Sequence, residues 1–191
     1  MKFFKQLGLA AVFAVVVMTY ASTASATTLE VNGVTQSGAV AFSASLLSGT
    51  STVWKDTSGF TQNTCASSTL GGTTSVKTGT AVTGALSSLT FSSCTRTVTV
   101  DKRGSVEIIW ISGTTNGTVY SEETQVTVNS PIGVLNCTTG ATTLIGTLTG
   151  VSTGQATIDN ISALINCGII SSAKWEATYV VTSPEGLGVV N

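Results

Sequence analysis

A chain of 191 residues with eight basic and nine acidic side chains and no histidine is nearly neutral and sparsely charged. That excludes nucleic acid as a partner, which needs a basic face to displace counterions, and it removes every imidazole nucleophile, base or zinc ligand. With 35 threonines, 24 serines, 20 glycines and two prolines, the composition suits short pleated strands joined by tight turns, because β-branched threonine fills a half-exposed sheet face.

At the N-terminus, Lys2 and Lys5 precede an uncharged, mainly apolar run from Leu7 to Tyr20. Ala24-Ser25-Ala26 then supplies small residues of the kind a signal peptidase cuts after. The expected division is a cleaved signal peptide over 1–26 and a single all-β domain over 27–191, long enough for a sizeable core. The apolar run falls short of the roughly 20 residues that span a bilayer as a helix. No later stretch qualifies, so no membrane span is expected in the mature chain. The expected location is secreted, or periplasmic and cell-envelope.

Along the mature chain, Asn32-Gly33 within 29–36 predicts a type I′ hairpin turn. Residues 39–47 alternate, with Val40, Phe42, Ala44 and Leu46 on one face. Residues 51–55 read as a short strand ending at a turn. Trp54, beside Lys55 and that turn, is the tryptophan expected to be exposed. The weakly periodic, small-residue segment 65–88 is expected to be a loop followed by one strand near Val76 to Val82. Residues 95–100 and 105–112, joined by Asp101–Gly104, read as the clearest hairpin. In its second strand Val106, Ile108 and Trp110 oppose Ile109 and Ile111, which predicts a central strand covered on both faces.

Further strands are expected near 118–120, 124–128, 132–137 and 142–150. A helical turn competes within 156–167, but its β-branched residues and flanking glycines favour a strand. Residues 173–181 set Trp175, Ala177, Tyr179 and Val181 opposite Lys174, Glu176 and Thr178. A turn at 183–186 leads to a last edge strand at 187–190. About ten to twelve strands at this spacing predict an antiparallel β-sandwich or flattened barrel with little or no helix.

Four cysteines in an exported chain imply two disulfides, with three pairings open. Cys94 follows Cys65 by 29 residues and Cys167 follows Cys137 by 30, so Cys65–Cys94 and Cys137–Cys167 close matching loops. Without a C-x-x-C pair or a histidine, no metal site and no cofactor are expected. The loops share the related stretches 79–84 and 146–150, and an aromatic strand follows each. A duplicated unit and chance recurrence in Thr/Gly-rich sequence both explain this.

Other chemistry is thin. Glu107 and Glu176 lie on strands and are the carboxylates a hydrolase would pair. Ser171 precedes Lys174 by three, but alternation in a strand turns such positions to opposite faces. Glu122, Glu123 and Asp159 lack the ligand ladder of a calcium loop. Trp110 and Trp175 lie in apolar registers, which leaves Trp54 as the candidate ligand-binding residue of an aromatic cleft. The Thr-x-Thr rows lack the regular repetition of a flat ice-binding face. No catalytic residue is expected.

The stretches 94–122, 144–150, 164–168 and 175–190 resemble a group of small secreted β-rich proteins of soil bacteria and actinobacteria, each with a signal peptide and paired cysteines. The resemblance covers nearly the whole mature chain. It implies β architecture, export and a bacterial source, so the sequons at Asn116, Asn136 and Asn160 are expected to stay unglycosylated. It brings no catalytic or binding residue with it. The expected function is that of a non-enzymatic secreted or cell-envelope protein in a structural or surface-interaction role, meeting an envelope or extracellular protein or a glycan. A glycan or small-ligand module using the cleft at Trp54 comes second, and a carboxylate-based hydrolase third.

Overall fold

The computed structural model describes residues 26–75 and 79–191, without the side chains of 161–164. The expected signal segment up to Ser25 lies outside the described residues, as does the start of the strand expected near Val76.

The described chain is all-β. In order the strands are β1 (Thr28–Val31), β2 (Val34–Thr35), β3 (Ala41–Leu46), β4 (Thr52–Asp56), β5 (Thr61–Thr74), β6 (Val82–Cys94), β7 (Val98–Lys102), β8 (Ser105–Trp110), β9 (Gly117–Glu122), β10 (Gln125–Ser130), β11 (Gly133–Thr138), β12 (Thr143–Thr149), β13 (Thr157–Asn166), β14 (Ser172–Ser183) and β15 (Leu187–Val190). A single 3₁₀ turn, Gly168–Ile170, joins β13 to β14. The disulfides join Cys65 to Cys94 and Cys137 to Cys167, as the matched spacings predict.

The long strands β5, β6, β13 and β14 organise the molecule, because each contributes its two halves to two stacked tiers. In the upper tier the order β3-β5-β6-β8-β9-β12-β13-β14 returns to β3, closing an eight-stranded antiparallel barrel. A closed barrel leaves no sheet edge exposed. The lower tier runs β7-β10-β11-β13-β14-β4-β5-β6 and stays unpaired between β7 and the lower half of β6. Asp101, Lys102 and Arg103 at the end of β7 guard that edge with charge.

Alternation decides what each tier buries. Ala44, Val82, Ile108, Leu148 and Val181 point into the upper core. Trp54, Val128, Leu135, Ile165 and both disulfides fill or border the lower one. Between them lies a polar layer. Ser68 bonds Tyr179, and the Trp175 indole donates to Thr52. The chain ends close the top of the barrel: β15 pairs with β1, and Leu29, Leu187 and Val189 enter the upper core. The predicted turn is present, with Asn32 at φ 52° and Gly33 at φ 73°.

Three expectations need correction. Residues 65–74 are not a loop but most of β5. Its small residues are there because Phe42 and the backbone of β6 press against Gly72, where a Cβ would collide with the Ala85 carbonyl. The strands expected as the clearest hairpin do not pair at all. β7 pairs with β10 in the lower tier, and β8 pairs with β6 and β9 in the upper. Gly104, at φ 68° and hard against the Glu122 carbonyl, is the step between tiers, so this connection is a crossing and not a turn. Finally, β8 is not buried on both faces: Ile108 is buried, whereas Ile109 on the opposite face is only half-buried.

The two cysteine loops are built differently. Cys65 and Cys94 face each other across one long hairpin, β5–β6. Cys137 lies on β11, and Cys167 follows the end of β13.

Candidate functional site

Trp54 was expected at the surface and is instead 1% exposed, among the most buried side chains. Its ring meets Phe91 edge-on at 5.0 Å, and Phe91 in turn meets Trp175. The reason is register. Thr52 and Trp54 are the inward residues of β4, while Val53 and Lys55 face out. The inward threonine hides the alternation from a hydropathy reading, yet it is fully used, accepting the Trp175 indole N–H at 2.8 Å. The aromatic cleft therefore has no surface at Trp54.

The carboxylates are likewise dispersed. Glu107 on β8 and Glu176 on β14 stand on strands four places apart either way around the eight-stranded ring. Glu176 is paired with Lys55 at 2.6 Å. The two acids do not share a cleft. A surface hollow of about 390 Å³ is lined by Lys102, Gly104, Ser105, Glu122, Glu123 and Ala141. Both of its acids are engaged, Glu122 by the Ser105 hydroxyl and Glu123 by Lys102. The hydrogen bond from Lys102, and then its charge, hold the Glu123 carboxyl below its ordinary range. Asp159 sits apart on β13, paired with Thr147 of β12. Ser171 lies in the turn before β14, and Lys174 lies beside Lys55 across β14–β4.

The barrel lumen holds an apolar cavity of about 50 Å³, bordered by Phe42, Val82, Ile108, Leu148 and Tyr179 among others. Pockets that hold a cofactor or sugar run to about 300–1,000 Å³. The lumen is thus a packed core with a small void. At its floor the Tyr179 hydroxyl donates to Ser68, whose own proton goes to the Thr90 carbonyl. Burial pushes the Tyr179 phenol up to about 12, against the smaller opposing effect of its hydrogen bonding with Ser68 and Thr52. Between pH 10 and 12 the unfolded chain has lost this proton and the folded chain keeps it, so the fold weakens as pH rises. Chemical denaturation is expected to show a further loss of about 3 kcal/mol across that window. Tyr179→Phe should abolish this component at a cost of about 1 kcal/mol at neutral pH. An unchanged alkaline limb in Tyr179→Phe defeats the assignment.

One end of the lower tier gathers residues that no motif announced. Going round it, the connections β6–β7, β10–β11, β13–β14 and β4–β5 all leave by the same rim. Their tips carry Arg96, Ile132, Ile169 and Phe60. Phe60 is 72% exposed, Ile169 68% and Ile132 55%, with Val134 nearby at 53%. A Cβ on Gly133 would stand 3.7 Å from Ile169 Cδ1, so two tips are neighbours. Asp56 pairs with Ala173, which sets the Phe60 turn beside the Ile169 turn.

Each tip is held out by a polar side chain beneath it. Asp56 accepts the backbone N–H groups of Ser58 and Phe60 and the amide of Gln62. This is the side-chain mimicry that makes aspartate a turn residue. Ser130 donates to the Gly133 carbonyl and accepts from Ile132 N–H. Asn166 accepts from Gly168 N–H. The Asn63 amide donates to the carbonyls of Arg96 and Asn129, and its oxygen accepts from the Thr64 N–H and the Thr95 hydroxyl.

The opposite end contrasts with this rim. Its turns Ser112–Asn116, Ser152–Gln155 and Ser183–Gly186 are polar, with Val34 and Ile111 the exposed large apolar residues beside them. The only sequence-level trace of the rim is a large apolar residue inside a turn, Phe60 after Ser58-Gly59 and Ile132 after Pro131. No family model, curated protein sequence or solved structure matches this chain.

Proposed function

We propose that this protein is an exported, non-enzymatic β-barrel protein of the envelope or the extracellular space, and that it works by contact through its lower rim. The observation that carries this reading is the rim itself. Three of its four turns place a large apolar side chain in solvent, whereas monomeric soluble proteins leave few contiguous apolar patches exposed without a binding role. Two supports come from elsewhere. Two disulfides fit an oxidising compartment. No helix among the described residues is long and apolar enough to cross a membrane.

The test is fractionation of the native host, followed by non-reducing mass spectrometry of the recovered protein. The expected product begins at Thr27, carries both bridges and lies outside the cytoplasm. A Phe60→Ser/Ile169→Ser variant is expected to move from the particulate envelope fraction to the soluble exported one. Recovery of an uncut, reduced chain in the cytoplasm refutes export. Turnover of any substrate by the purified protein refutes the non-enzymatic reading.

A further inference from the structure

We infer that the lower rim docks on the interfacial zone of a neutral phospholipid surface, with Phe60, Ile132 and Ile169 entering between headgroups and Arg96 meeting lipid phosphate. This rests on the contact reading above and names the partner of the same surface.

Three features favour lipid over a folded partner. First, the apolar tips sit on three separate hairpin turns. Each has a small residue beside it in the turn: Ser58-Gly59 before Phe60, Gly133 after Ile132, and Gly168 before Ile169. They protrude from neighbouring turns around one rim. A fluid interface accepts protruding apolar tips without needing a complementary shape, and amphipathic surfaces bind there through buried apolar area.

Second, the charges suit phosphate. Asp56 folds its carboxylate inward against its own turn. Lys55 lies further up β4, paired with Glu176. Arg96 stands exposed at the fourth tip. Guanidinium is well matched to phosphate oxygens. The chain as a whole is slightly acidic, so its long-range field does not draw it to anionic lipid.

Third, the rim is braced. Cys94 immediately precedes the Arg96 turn and Cys167 the Ile169 turn, while Cys65 and Cys137 lie one short strand-length behind Phe60 and Ile132. The turns are therefore ordered before docking, which spares the entropy of fixing them on contact.

The experiment is flotation of the disulfide-bonded protein with phosphatidylcholine vesicles, and in parallel with vesicles containing phosphatidylglycerol. The native protein is expected to float with both. Phe60→Ser/Ile132→Ser/Ile169→Ser is expected to lower the bound fraction at least tenfold, about what the exposed apolar area of three side chains supplies. Arg96→Gln should lower it a few-fold and remove what salt dependence there is. Leu144→Ser, at an exposed apolar position on the barrel wall, serves as the control and should change nothing. Near-ultraviolet circular dichroism confirms that each variant is folded.

Failure of the native protein to float with either lipid overturns the inference, as does undiminished flotation of the triple variant. If flotation fails while envelope retention still depends on Phe60 and Ile169, a protein or glycan occupies the rim and the contact reading stands. If the native protein sediments as a dimer that the triple variant disperses, and neither floats, a second copy occupies it. If neither flotation nor retention depends on the rim, both readings fall.

Discussion

Reduction of both disulfides is expected to remove about 7 kcal/mol of stability, enough to bring the protein close to its unfolding midpoint at room temperature. The bridges span 29 and 30 residues. Closing a loop of that length withdraws chain entropy from the unfolded state worth about 3.5 kcal/mol. Two such loops approach the whole net stability of an ordinary domain, about 5–15 kcal/mol. Equilibrium urea unfolding with and without reductant measures the loss. Cys137→Ser/Cys167→Ser should show about half of it. The loss should also be uneven in space. Both bridges belong to the lower core, whose ring is left unzipped between β6 and β7. The upper ring closes on itself through backbone hydrogen bonds and carries the β1–β15 cap. Hydrogen exchange after reduction is therefore expected to rise first in β4, β10 and β11 and last in β8, β9 and β12. Equal acceleration in both tiers, or a urea midpoint that ignores reductant, refutes this division.

Asn63→Ala is expected to cost about 3–4 kcal/mol, a large effect for one polar residue. Asn63 is almost wholly buried and its amide meets three segments of chain: β5 itself, the β6–β7 turn at Thr95 and Arg96, and Asn129 of β10. Where β6 and β7 fail to pair, this one side chain supplies the cross-links that backbone ladders supply elsewhere. Its removal leaves the part-buried carbonyls of Arg96 and Asn129 without their donor, and each such loss costs about 1–3 kcal/mol. Asn63→Asp keeps the size and the accepting oxygen. It turns the donor nitrogen into an oxygen facing the carbonyls of Arg96 and Asn129, so a comparable loss is expected. Urea midpoints at unchanged m-value report the cost, and exchange at Val98–Lys102 should accelerate beyond the global change. A loss below about 1 kcal/mol in Asn63→Ala would show that the β6–β7 junction is held by other means.

These two expectations depend on features of very different visibility in the sequence. The cysteine pairs were readable because matched spacing, together with an N-terminus that reads as an export signal, points to local bridges. Asn63 carried no signal, since its partners are set by where β7 and β10 happen to lie. Trp54 shows the same limit. Its burial depends on a polar inward neighbour, Thr52, whose role exists only once Trp175 stands across from it.

What the amino-acid order determined by itself is the local grammar: the all-β class, the Asn32-Gly33 turn, the alternation of β3 and β14, and the sulfur pairing. These follow from two-residue periodicity, turn stereochemistry and covalent spacing, all short-range along the chain. Only the tertiary structure decided that β7 and β8 part company at Gly104, that glycine-rich β5 is a long stave, and that Phe60, Arg96, Ile132 and Ile169 meet at one rim. Strand partnering in a closed barrel is a ring condition. Each edge takes the partner that lets the whole circuit close, and no window of sequence contains that circuit.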